Sequence, residues 1–277
     1  MAASPLLGGV IFDRCGYNAV YVSAFIVVGI DIILRLVLVV EPTEDIGYSR
    51  PEKILLPTTI YLLSTPRMWT AVLGSFQSSL VLGSLDSVLP RFVNQMYGWN
   101  SIQAGAAFLV FVGPCIFSPT IGQLAQRYGA RKCAVWGYTG AGVSLGLVGA
   151  AAGKEPPFQA LLLVMLCLSG VFILFAEISS WVDAVAAAEI QALERPHRFR
   201  QGFLAHVYGL TNIMFALGFV LGPIGAGFLY QQSGWITVAL LLEIGTIACS
   251  LPTIIWMQRV AIAQEPRKVV YQEPEIA

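Results

Sequence analysis

Residues Phe203–Tyr230 read FLAHVYGLTNIMFALGFVLGPIGAGFLY, 28 positions without an Asp, Glu, Lys or Arg. At about 1.5 Å per residue, a helix of that length exceeds the roughly 30 Å hydrocarbon core of a bilayer. A short connection follows, Gln231-Gln-Ser-Gly-Trp235. Ile236–Met257 then runs apolar again, with Glu243 as its one charge. In lipid every backbone amide needs an internal partner, so two such runs form a hairpin of spanning helices.

The same pattern extends outward through the chain. Val20–Val40, Met68–Leu89, Ile102–Ile121, Cys133–Ala152 and Gln159–Trp181 are each long and apolar enough to span, giving seven full spans. The 277 residues are 56% hydrophobic and 12% charged, with mean hydropathy +0.72. Soluble domains run at about 45–50% apolar and about 25% charged. The fold class expected is therefore an all-α multi-pass membrane protein. A formal net charge of zero gives no reason to expect nucleic acid as a partner. Five scattered cysteines and two histidines without ligand spacing point to neither a zinc site nor a disulfide framework. No metal and no cofactor is expected.

Basic residues set the orientation. Arg50, Lys53, Arg67, Arg127, Arg131, Lys132, Arg195, Arg198, Arg200, Arg259, Arg267 and Lys268 fall on one side. Arg14, Arg91 and Lys154 fall on the other, and Arg35 lies within a span. The positive-inside rule puts the twelve, and the C-terminus, in the cytoplasm. The membrane expected is the plasma membrane or a vacuolar or vesicular one. With seven spans the segment before Val20 is outside. Pro5–Phe12 is apolar but covers only about half a bilayer, so it reads as the outer end of a helix whose inner part is missing.

An internal repeat supports that reading. Ser4–Tyr17 aligns without gaps on Gly222–Trp235, matching Pro5 with Pro223, Gly9 with Gly227 and Gly16 with Gly234. Small residues let membrane helices approach closely, which makes Pro5, Gly8, Gly9, Gly222, Pro223 and Gly227 a candidate packing motif. Five full spans lie between the copies, so the repeating unit is six helices, as in transporters built from two six-helix halves.

Three stretches then carry a family resemblance. Pro5-Leu-Leu-Gly-Gly9 is similar to the end of an antiporter motif on a fifth helix. Ser118-Pro-Thr-Ile-Gly-Gln-Leu-Ala-Gln-Arg-Tyr-Gly-Ala-Arg131 is similar to a loop of the form GxLaDRxGrR between eighth and ninth helices. Ala205–Trp235 is similar to an eleventh helix. The chain thus resembles the major facilitator superfamily, particularly its drug:proton antiporter branch and fungal members akin to vesicular amine transporters. The resemblance implies a major-facilitator-type bundle running from the end of helix five through helix twelve. Residues 1–40 would be a remnant of the N-terminal half and 41–67 a cytoplasmic linker. Residues 68–257 would form a C-terminal six-helix bundle, and 258–277 a cytoplasmic tail.

Charges inside spans cost about 2.5–3.5 kcal/mol each on insertion scales, so each needs a reason. Asp31 and Arg35 stand four apart on one helical face, either as a self-compensating pair or with a role in relaying protons or gating. Asp86 has no basic residue one turn away. It is placed to bind a cationic solute or exchange a proton, or else to accept hydrogen bonds at a helix mouth. Glu177 suits gating or a contact to the basic loops better than solute binding, and Glu243 reads as structural. In the loop, Gly122 and Gly129 permit a tight reversal, while Arg127 and Arg131 hold it in the cytoplasm. The resemblance makes this loop a latch, weakened because Gln126 stands where the family has Asp. Asn212 occupies the place of an Asp in amine carriers and cannot take up a proton. With Gln77 it offers neutral hydrogen bonds instead. Trp99, Trp181, Trp235 and Trp256 are expected at membrane interfaces.

The function expected is proton-coupled antiport of a small organic solute by alternating access. The partners expected are solute, protons and lipid. A missing N-terminal half or self-association would complete the cavity. The alternative is a non-transporting remnant or a partner-binding half of a transporter. An intramembrane enzyme ranks last, since the chain has no HExxH and no paired His.

Overall fold

The computed structural model describes residues 4–37, 55–194 and 203–257. All regular structure within them is helical: α1 (Ser4–Cys15), α2 (Tyr17–Val37), α3 (Leu55–Leu62), α4 (Pro66–Tyr97), α5 (Ser101–Val112), α6 (Ser118–Tyr128), α7 (Ala130–Ala150), α8 (Pro156–Glu194) and α9 (Phe203–Trp256). A 3₁₀ turn, Gly113–Phe117, joins α5 to α6. Among the described residues, six helices are long and apolar enough to cross a membrane. The last of these is 53 residues, roughly 80 Å of helix, enough for two crossings. It breaks at Gly234 (φ 81°), a left-handed conformation open to glycine at little cost. The hairpin expected from Gln231–Trp235 therefore turns on one residue rather than five.

Local chemistry fixes the other ends. Pro66 opens α4, where a missing N–H is harmless. Gly98 (φ 70°) closes it, with its N–H on the Asn94 carbonyl and the Trp99 N–H on Val93. Asn100 and Gln103 then form a reciprocal capping box that starts α5, at 2.9 and 3.1 Å. Gly129 (φ 93°) separates α6 from α7. Gly122 lies inside α6, so Gly129 alone makes the reversal for which both glycines were expected.

Helix α4 is the axis of the bundle. Val81, Leu85, Leu89 and Phe92 on it pack with Leu145 and Val148 of α7, Leu162 and Leu166 of α8, and Trp235 and Leu242 of α9. Its closest neighbour is the first arm of α9. A methyl group on Gly222 would lie 2.5 Å from the Leu80 carbonyl oxygen, and one on Gly83 would lie 2.8 Å from that of Phe219. Backbone meets backbone there, the contact small residues permit. Helix α2 is the opposite case: it rests on α1, and Phe25 and Val37 are three-quarters exposed.

Candidate functional site

The two ends of the bundle carry different chemistry. At the end where α4 begins and α8 finishes, Arg67 grips Asp183. Its Nε donates to both carboxylate oxygens at 3.0 Å, and a terminal nitrogen donates to Oδ1 at 2.5 Å. Both residues are buried, Asp183 at 1% exposure. Two steps away Gln191 donates to Thr65 Oγ1 at 2.7 Å, so α4 and α8 are clasped twice. Arg131 donates to the Ile254 carbonyl near the end of α9, one of the carbonyls a helix terminus leaves open. Arg127 lies over the Tyr128 ring at 5.8 Å, and Gly122 faces Ile178 at ordinary contact distance.

At the other end, where α4 meets α5, a cleft of about 510 Å³ opens between α1, α4 and α5. Asp86 lines it, together with Pro90, Arg91 and Asn94 of α4. Its apolar wall is Phe12, Val20, Trp99 and Phe108. Among the described residues Asp86 has no ion-pair or hydrogen-bond partner. The nearby Arg91 guanidinium lies over the Tyr230 ring at 5.7 Å, and the Tyr230 hydroxyl donates to Gln95 at 2.6 Å. Trp235 is buried at this end. It stacks on Phe92 with ring centroids 4.1 Å apart and donates to the Val148 carbonyl.

The four sequence candidates for solute or proton binding do not converge. Asp86 and Gln77 are nine residues apart on α4, about 14 Å along the axis and on opposite sides of the helix. Gln77 is buried and donates to Thr246 Oγ1 at 3.1 Å, tying α4 to the second arm of α9. Asn212 is exposed on the first arm of α9. Glu177 points into the α4–α8 contact, where its Oε1 accepts from Trp181 Nε1 at 2.5 Å. Asp31 is on the exposed flank of α2; the side chains of Arg35 and Pro5 lie outside those described. Of the packing motif, Gly9 is held 2.6 Å (to an added methyl) from the Ser101 carbonyl. Around Gly8 the space is open, and Gly227 has nothing nearer than 4.0 Å.

Sequence reading missed Asp183 altogether. It ended the fifth span at Trp181, which places Asp183 in water. The helix instead continues to Glu194 and carries Asp183 into the bundle. Its partner is 116 residues away, so no local spacing rule reveals the pair.

Residues 101–274 match the family described as Major Facilitator Superfamily. The chain belongs to that superfamily. It is a membrane protein of many crossings, and its relatives are transporters by name. It is 23% identical to the MFS-type transporter ppzB of Metarhizium rileyi, over 84% of this chain and 60% of that protein. It is 26% identical to the uncharacterized MFS-type transporter C18.02 of Schizosaccharomyces pombe, over 90% of this chain and 61% of that one. The uncharacterized MFS-type transporter YhhS of Escherichia coli is 29% identical over 44% of this chain and 30% of its own length. This chain spans about three fifths of the length of the two fungal relatives.

Proposed function

We propose that this superfamily member takes part in proton-coupled antiport of organic cations, the drug- and amine-exporting kind of transport, with Asp86 as the shared carboxylate. One observation carries the reading: Asp86, without an ion-pair or hydrogen-bond partner among the described residues, lines an apolar-walled cleft of about 510 Å³, within the roughly 300–1,000 Å³ usual for small-molecule sites. An ammonium group pairs with the carboxylate while its apolar body lies against Phe12, Trp99 and Phe108. A proton on Asp86 cancels the charge that holds the cation. One carboxylate serves either occupant but not both, which is the logic of exchange.

The rest of the molecule supplies the frame for alternating access. In this reading residues 68–257 move as one six-helix unit, and the clasped end with Arg67, Arg131 and Asp183 faces the cytoplasm, as the basic residues direct. The cleft faces the opposite side. Its wall on α1 belongs to the segment before that unit, so relative motion of the two opens or closes it.

The test is binding of tetraphenylphosphonium to the purified chain by equilibrium dialysis. Wild type is expected to bind saturably and to lose affinity as pH falls. Asp86→Asn is expected to lose more than about tenfold, or about 1.4 kcal/mol, while Gln77→Ala keeps its affinity. Equal binding by Asp86→Asn overturns the assignment.

A further inference from the structure

The cleft beside Asp86 holds a second charged side chain that the antiport reading does not use. Of the described residues lining it, only Asp86 and Arg91 carry charge. They stand five apart on α4, about 7.5 Å along the axis and about 140° around it. Pro90 and Asn94, of the same lining, fall between them. Arg91 makes no ion pair or hydrogen bond among the described residues. Its guanidinium lies over the Tyr230 ring at 5.7 Å, and the Tyr230 hydroxyl fixes that ring by donating to Gln95 at 2.6 Å. A ring beneath a guanidinium occupies one face of its plane. The N–H groups radiate from the edge and stay able to fork onto a carboxylate.

A plain organic cation satisfies only half of this cleft. Asp86 attracts its charge and Arg91 repels it, and apolar walls strengthen both effects by lowering the local dielectric. Asn100 and Ser101, where α5 begins, also line the cleft and add the positive end of a helix to the lining. With a plain cation bound, the cleft carries one net positive charge; with a zwitterion bound, it is neutral. We propose that the cleft selects zwitterions, organic molecules whose cationic centre and carboxylate are held apart by an apolar body. Arg91 is the specificity-determining residue, reading the carboxylate while Asp86 holds the cation and Phe12, Trp99 and Phe108 take the body between. The inference rests on the Asp86 reading and narrows its substrate class.

Rhodamine B and its ethyl ester share one aromatic cationic body and differ in a single free carboxylate. Their binding to the purified full chain is measured by fluorescence anisotropy at neutral pH and constant ionic strength. Wild type is expected to bind the acid about fivefold more tightly than the ester, a difference of about 1 kcal/mol. Arg91→Gln reverses that order, weakening the acid and tightening the ester. Tighter ester binding also shows that this variant is folded. Arg91→Lys keeps part of the preference, because it retains the charge without the planar fork. Asp86→Asn weakens both dyes. Equal affinities in wild type, or an acid preference that persists in Arg91→Gln, overturn the proposal, while loss of both dyes in Asp86→Asn keeps the Asp86 assignment standing. If Asp86→Asn binds both dyes as wild type does, the Asp86 assignment fails and this proposal fails with it.

Discussion

Asp86 and Asp183 are both aspartates on spanning helices of one bundle, yet the fold treats them in opposite ways. Asp183 is enclosed at 1% exposure and gripped by the Arg67 fork. Asp86 is exposed to a cleft, and the nearest arginine along its helix, Arg91, lies over an aromatic ring instead. A membrane carboxylate carries a standing cost. Where the protein supplies its own cation, that cost is offset permanently and the group holds two helices together. Where it does not, the proposed reading leaves the carboxylate open to a passing cation or proton. In that reading the difference separates the end of the bundle that holds from the end that exchanges.

The contrast breaks first at Asp86. Asp86→Asn should abolish cation binding while leaving thermal unfolding in detergent close to wild type. A large drop in Tm would make Asp86 a structural residue after all. At the other end the roles reverse. Asp183→Asn removes the carboxylate that grips the buried Arg67 and should destabilise the bundle by about 3–5 kcal/mol. The double replacement Arg67→Met with Asp183→Leu should recover most of that loss in the same unfolding assay. Failure of the double variant to recover would mean the pair does more than neutralise itself.

Smaller effects sharpen the comparison along α4. Gly222→Ala places a methyl against the Leu80 carbonyl and should cost about 1–3 kcal/mol through forced separation of α4 and α9. Gln77→Ala removes one hydrogen bond to Thr246 and should cost about 0.5–1.5 kcal/mol, again without touching cation affinity. The least effect is expected from Arg131→Gln, at the partly exposed end of α9, where a cation near a helix C-terminus contributes about 0.3–1 kcal/mol. Unfolding monitored by the intrinsic tryptophans ranks all three.

Much of this architecture is legible in the residues. Hydropathy and length mark the long apolar helices found among the described residues, and Gly129 and Gly234 mark two reversals because few other residues adopt their backbone conformation. Asp86 stands out because no cation lies one helical turn away. The clasp does not stand out, because Arg67 and Asp183 meet only when α4 packs on α8. A span rule that stops at Trp181 also discards thirteen further helical residues, to Glu194. Gln77 and Asn212, read together as neutral donors to solute, are separated by packing: one is bonded across the α4–α9 contact and the other is exposed. Sequence spacing reports neighbours within a helix. Contacts between helices are decided by packing geometry, here by glycines such as Gly83 and Gly222 that set how closely backbones approach.

The most direct test of the central claim is transport. The purified chain is reconstituted into liposomes, a pH gradient is imposed, and movement of a fluorescent organic cation is followed in wild type and Asp86→Asn. Gradient-dependent movement in wild type that Asp86→Asn lacks is the result this account predicts. Movement that persists in Asp86→Asn, or that ignores the gradient in wild type, contradicts it.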